Sequence, residues 1–143
     1  MIRSDQILKT VSMIQKEHLD LRTITMGINL LDCRCGNVSK TCVAVERKTL
    51  DDFVSTVIHS RERFRAELQK LAAYRAACVV VETGITDILQ RRYRGEAHPN
   101  AVLGNALSII LDYRIPVFFC SNRQAACHFV QAYLLAVHAR WST

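Results

Sequence analysis

Three short apolar runs, Cys42-Val43-Ala44-Val45, Cys78-Val79-Val80-Val81 and Ile115–Cys120, alternate with longer stretches of helical apolar spacing. This alternation constrains the fold more than any other feature of the chain. A run with no polar face makes a strand buried on both sides, the situation of a parallel sheet covered by helices. The order strand, helix, strand, helix, strand, helix predicts an α/β domain of three layers, with a largely parallel central portion. Earlier strands are free to join it antiparallel, giving a central mixed sheet flanked by helices.

The intervening segments supply the helices. Thr49 is a good N-cap with Asp52 three residues on. Phe53, Val54, Val57 and Ile58, then Phe64, Leu68 and Leu71, form an inward stripe. A break near His59-Ser60 divides it into two helices, the second ending near Tyr74. Thr83-Gly84 opens a loop toward a short helix near Asp87 to Arg92, and Arg94 to Pro99 reads as exposed. Ala101 to Tyr113 is helical, with Leu103, Leu107, Ile110 and Leu111 expected inward. Ser121-Asn122 caps a final helix to about Ala139. Upstream, Ile7 to Glu17 has helical spacing, and Leu21 to Met26 alternates like a half-buried strand. Gly27 breaks the chain, Ile28 to Cys35 forms a second strand, and Cys35-Gly36-Asn37 has turn chemistry.

The chain has 143 residues, of which 50% are hydrophobic, enough for one domain with a full core over residues 1–143. No apolar run approaches the roughly 20 residues of a membrane span, and no secretory h-region follows the amino terminus, so an intracellular protein is expected. The formal charge of +6 permits a polyanionic partner such as nucleic acid without requiring one. Of six cysteines, Cys78, Cys120 and Cys127 sit in apolar surroundings and read as small core residues. Cys33, Cys35 and Cys42 offer three thiolates to zinc, but without a fourth ligand they read as reduced structural cysteines. The five histidines show no paired ligand spacing. There is no P-loop, dinucleotide fingerprint or nucleophile elbow.

The chemistry concentrates after Val45. Side chains two apart on a strand share a face, so Glu46 and Lys48 emerge together at the strand's end. A carboxylate beside an ammonium suits phosphodiester hydrolysis. The carboxylate can hold magnesium through oxygen, and the lysine can orient the attacking water or stabilise charge at phosphorus. Asp32, upstream, is the nearest candidate for a second metal-binding carboxylate. Arg91, Arg92 and Arg94 around Tyr93 form a basic-aromatic cluster that can grip a DNA backbone.

Val45-Glu46-Arg47-Lys48, three residues and then Asp52, resembles the E-R-K-x3-D signature of the XPF-type nuclease domain, a member of the PD-(D/E)XK nucleases. Ser60-Arg61-Glu62-Arg63-Phe64, Glu67-Leu68 and Leu71-Ala72-Ala73-Tyr74 resemble that family's second helix, and Val79-Val80-Val81-Glu82 the strand after it. The similarity is clearest from Val43 to Glu82. It implies a restriction-endonuclease-like fold and magnesium-dependent cleavage of DNA, with manganese able to substitute. Branched or flap-like DNA in repair or recombination would be the substrate. Glu46 would be a metal ligand, Lys48 the catalytic lysine, and Arg47 a contact to phosphate or a brace for the carboxylates. Asp52 would support the metal, and Arg61 would lie close to the site.

Upstream, the family carries a Gly-Asp pair whose aspartate binds metal. Here Gly27 is followed by Ile28. Either Gly27-Ile28-Asn29-Leu30 is a degenerate motif, giving an inactive scaffold, or Leu31-Asp32 replaces it, the preferred alignment. No tandem helix-hairpin-helix module is expected, and family members often pair, which suggests a homodimer through the carboxy-terminal helices or a complex with another subunit.

Overall fold

A computed structural model describes residues 32–35, 38–41 and 43–141. Two strands, β1 (Asp32–Cys35) and β2 (Val38–Thr41), pair antiparallel, with Asp32 opposite Thr41. Among the described residues the central sheet is separate from these and parallel, in the order β3 (Val43–Lys48), β4 (Ala76–Val81), β5 (Val117–Phe119). Both pairings are parallel, as expected of this portion, with Val43 against Ala76 and Val79 against Val117.

Strand parity divides the core into two layers. On one face, Val43, Val45, Cys78 and Val80 pack against Ala126, Val130, Leu134 and Val137 of the last helix, α5 (Arg123–Trp141). On the other, Ala44, Val79 and Val81 meet α1 (Leu50–His59), α2 (Arg61–Ala72), the short α3 (Ile85–Leu89) and α4 (Pro99–Asp112). Helices therefore cover both faces of a sheet whose β3 starts and β4 ends fully buried and whose β5 is half-buried, the three-layer α/β arrangement the apolar runs predict.

The boundaries follow local chemistry. Thr49 caps α1, its Oγ1 accepting from the Asp52 amide at 3.2 Å. The chain breaks between α1 and α2 at Ser60, as the sequence suggests. The α4 helix starts two residues earlier than expected, because Pro99 needs no amide partner in a first turn and the His98 ring accepts from the Asn100 amide. The short helix runs from Ile85 rather than Asp87, and Arg91 closes it at a φ of 54°.

One core assignment is corrected. Leu107 and Leu111, expected inward, are 54% and 69% exposed, and the buried stripe of α4 is Val102, Ala106 and Ile109. Apolar residues on several sides of this helix leave its facing ambiguous, and the smaller Val102 and Ala106 fit close to the sheet. Cys78 is fully buried and Cys120 and Cys127 half-buried, none of them in a disulfide. Burial pushes the Cys78 thiol up to about 12. The expected helix at 7–17, the strand at 21–26, Gly27, Ile28, Asn29 and Cys42 lie outside the described residues, as do the side chains of Asp32, Cys33 and Cys35.

Candidate active site

The carboxyl end of β3 carries charges on both faces of the sheet. Parity sends Arg47 to the α5 side, with Val43 and Val45, and sends Glu46 and Lys48 to the side of α1 and α2, with Ala44. Three consecutive residues thus belong to two different environments.

On the α5 side, Arg47 forms a two-pronged ion pair with Glu82, just past β4. Its Nε donates to Oε1 at 2.9 Å and its Nη2 to Oε2 at 2.8 Å. The two side chains are only 8% and 7% exposed. A fork of this kind uses the planar guanidinium fully and ties the ends of two strands together. The Glu82 amide also donates to the Lys48 carbonyl at 2.9 Å, extending the ladder past the last residue of the strand. The carboxylate that Arg47 holds is Glu82, which lies outside the expected set of Asp32, Glu46 and Asp52.

On the other side, Lys48 Nζ lies 3.5 Å from Glu46 Oε1. The ammonium also sits 5.8 Å from the centroid of the Phe64 ring, within reach of its negative face. Burial raises the carboxyl of Glu46 above the ordinary value, the Lys48 charge opposes the shift, and the negative charge of Glu67 adds to it. Lys48 opens on a cleft of about 190 Å³ lined by Thr56, Ser60, Arg63, Phe64 and Glu67. Glu67 pairs loosely with Arg63 at 3.6 Å across one turn of α2.

The remaining candidates are more dispersed. Asp52 is exposed in the first turn of α1, where an acid favours the positive helix end. Arg61 is exposed at the start of α2. Arg92 pairs with Asp87 at 3.1 Å, and Arg94 with Asp51 at 3.8 Å. The Tyr93 hydroxyl donates to the Ala97 carbonyl, so the half-buried ring fastens its own loop. Arg91 is exposed beside them.

Two carboxylates have roles the sequence did not single out. Glu82 matters because it ends its apolar run on the same face as Arg47, a signal available from strand parity. Glu67 reaches Glu46 and Lys48 only through the packing of α2, which no local pattern encodes. Among the described residues no three Asp, Glu, His or Cys side chains stand close enough to hold a metal ion. The donor chemistry nevertheless fits a hard divalent cation. Glu46 is a partly desolvated carboxylate in the field of a second one, and magnesium commonly takes one or two carboxylates while keeping waters.

Comparison with known proteins agrees with the fold. The XPF from Aeropyrum pernix superposes with a TM-score of 0.58 at 21% identity, covering 90% of this chain and 63% of that one. Its complex with DNA gives a TM-score of 0.55 at 23% identity, covering 91% and 65%. A shorter likeness joins the chain to a UPF0210 protein of Desulforudis audaxviator, 50% identical over 48 residues, which are 34% of this chain. The chain spans 11% of that relative's length, and the relative's name states no activity. The family model of the ERCC4 domain matches residues 6–133, so the chain belongs to the ERCC4 domain family, that of the XPF-type nucleases.

Proposed function

We propose that this chain is a divalent-metal-dependent endonuclease that hydrolyses phosphodiester bonds in DNA, with Glu46 and Lys48 at its reacting centre. The observation that carries this reading is their common face at the end of β3, where Lys48 opens on a cleft while its neighbour Arg47 is fully engaged elsewhere. Glu46 would hold magnesium or manganese, together with Asp32. When bound, the metal would polarise the phosphoryl group and favour hydroxide formation.

The chain's own residues do the rest. The Lys48 ammonium, anchored between the Glu46 carboxylate and the Phe64 ring, presents donors to the attacking water or to the charge developing at phosphorus. The Arg47–Glu82 pair fixes the height of Glu46 and Lys48 by locking the ends of β3 and β4. Asp52 lends negative charge from the first turn of α1, and Arg61, Arg91, Arg92 and Arg94 supply exposed positive charge for the DNA backbone.

The substrate we infer is branched or flap-like DNA met during repair or recombination, wherever the cell keeps its DNA. Pairing of two chains through the carboxy-terminal helices belongs to the same reading. A second reading, an inactive nuclease serving as a DNA-binding or protein scaffold, is motivated by Ile28, which follows Gly27 where the family carries a metal-binding aspartate.

Incubation with labelled flap, fork and linear DNA, with magnesium or manganese, separates the two. Cleavage by the parent chain, lost in Glu46→Ala and Lys48→Ala and reduced in Asp32→Ala, is the expected result. Cleavage indifferent to Glu46→Ala and Lys48→Ala would remove the site, and DNA binding with no cleavage at all would favour the scaffold.

A further inference from the structure

A second cleft, wider than the one beside Lys48, opens between the helices. It measures about 500 Å³ and lies between α2 and α4. Its floor is apolar and buried, built from Val57, Phe64, Leu68 and Ile109. Its walls are polar: Arg61, Arg65 and Gln69 from α2 face Asn105, Ser108 and Asp112 from α4, and the half-buried Tyr113 stands at one end.

This cleft is continuous with the Lys48 site. Phe64 lines both of them. A shallower depression over the start of α2, lined by Ile58 to Arg63, shares Ser60 and Arg63 with the Lys48 cleft and Arg61 with the larger one. A path therefore runs from Lys48 around the amino-terminal end of α2, past Arg63 and Arg61, to the cleft between α2 and α4.

We propose that this cleft is a subsite for an unpaired nucleotide of the DNA strand that passes through the Lys48 site. The identity of the strand rests on the nuclease reading above; the chemistry of the cleft points the same way independently. An apolar floor with one aromatic end accepts a base, which presents a π-face whatever its sequence. The amides of Gln69 and Asn105 and the Ser108 hydroxyl offer partners to a base edge; Asn105 spends one donor on the Ala101 carbonyl at 2.8 Å and keeps its own oxygen as an acceptor. Arg61 and Arg65 at the exposed rim supply positive charge for the flanking phosphates. Asp112 opposes that charge at the α4 wall and favours a base over a phosphate on its side. The volume falls in the range of small-ligand sites, roughly 300–1,000 Å³. A base in duplex DNA must first unpair and unstack, at a cost of a few kcal/mol, so the site favours substrates with a single-stranded arm beside the cut.

The test is binding of fluorescein-labelled oligothymidylate and of a blunt duplex of equal length by the full chain, followed by anisotropy in chelator so that no cleavage occurs. Arg65→Ala and Gln69→Ala shorten the wall, Ser108→Trp fills the cleft, and Arg140→Ala on α5 removes a charge on the opposite side of the sheet. We expect Arg65→Ala and Ser108→Trp to weaken oligothymidylate binding about tenfold, Gln69→Ala less, and duplex binding to change by under about twofold. Arg140→Ala leaves both unchanged. Parent-like oligothymidylate binding in Arg65→Ala and Gln69→Ala overturns the proposal, as does an equal loss in Arg140→Ala. Should Ser108→Trp melt early, the two truncations decide. Because the readout is binding without metal, the role of the cleft is tested even in a chain that never cuts DNA.

Discussion

The two charge pairs at the end of β3 differ in almost every physical respect, although their basic members are adjacent in the chain. Arg47 and Glu82 are buried, planar and bidentate at 2.8 and 2.9 Å. Lys48 and Glu46 meet once, at 3.5 Å, with side chains 16% and 28% exposed beside a cleft. The first pair leaves nothing for a ligand to use and holds the strands together. The second is loose, partly desolvated and open, and its carboxyl is displaced from its ordinary value. Groups held out of their preferred state at a cleft are where catalysis is commonly found. A single alternation of strand parity thus separates a closed, buried pair from an open one.

The comparison breaks most visibly at Arg47. Arg47→Ala strands Glu82 in the interior and should cost about 3–5 kcal/mol of stability, measured by denaturant unfolding. Lys48→Ala should do the converse. Its unfolding free energy should stay within about 1 kcal/mol of the parent, because the pair it loses is loose and partly hydrated. Its rate of metal-dependent DNA cleavage should fall by about 10²–10³, as for removal of one electrostatic stabiliser.

A smaller effect of opposite sign is expected at Glu46. The folded-state carboxyl value is raised, mainly by burial, so the contribution of this group is full below the ordinary value of 4.5 and is lost as pH rises through the folded value. At neutral pH in chelator the ionised side chain is a net cost. Glu46→Gln should therefore stabilise the chain by about 0.5–2 kcal/mol, and the gain should vanish when the pH is taken below the carboxylate range. The smallest effect belongs to Arg94, 94% exposed in its contact with Asp51. Arg94→Ala should shift stability by less than about 0.5 kcal/mol, checked by the same unfolding curves.

Much of this contrast is legible in the amino-acid sequence. Unbroken apolar runs dictate strands buried on both faces, and period-two alternation places Glu46 and Lys48 together at the end of one of them. Thr49 and Asp52 mark the start of α1 through cap chemistry alone. Partners brought by packing are not legible there. Glu67 comes to Lys48 only because α2 lies across the strand end, and the cleft between α2 and α4 depends on how two helices diverge. Leu107 and Leu111 mislead for a related reason. In a helix with apolar residues on several sides, side-chain size does not choose the inner face; the available gap over the sheet does, and it takes Val102 and Ala106.

On this reading the open pair does chemistry and the closed pair does not. The most direct test is the initial rate of magnesium-dependent cleavage of a labelled fork by Glu46→Gln, on protein shown by its melting curve to be folded. We predict a chain at least as stable as the parent whose cleavage rate is lower by about a hundredfold or more. Parent-like cleavage by that folded variant would contradict it.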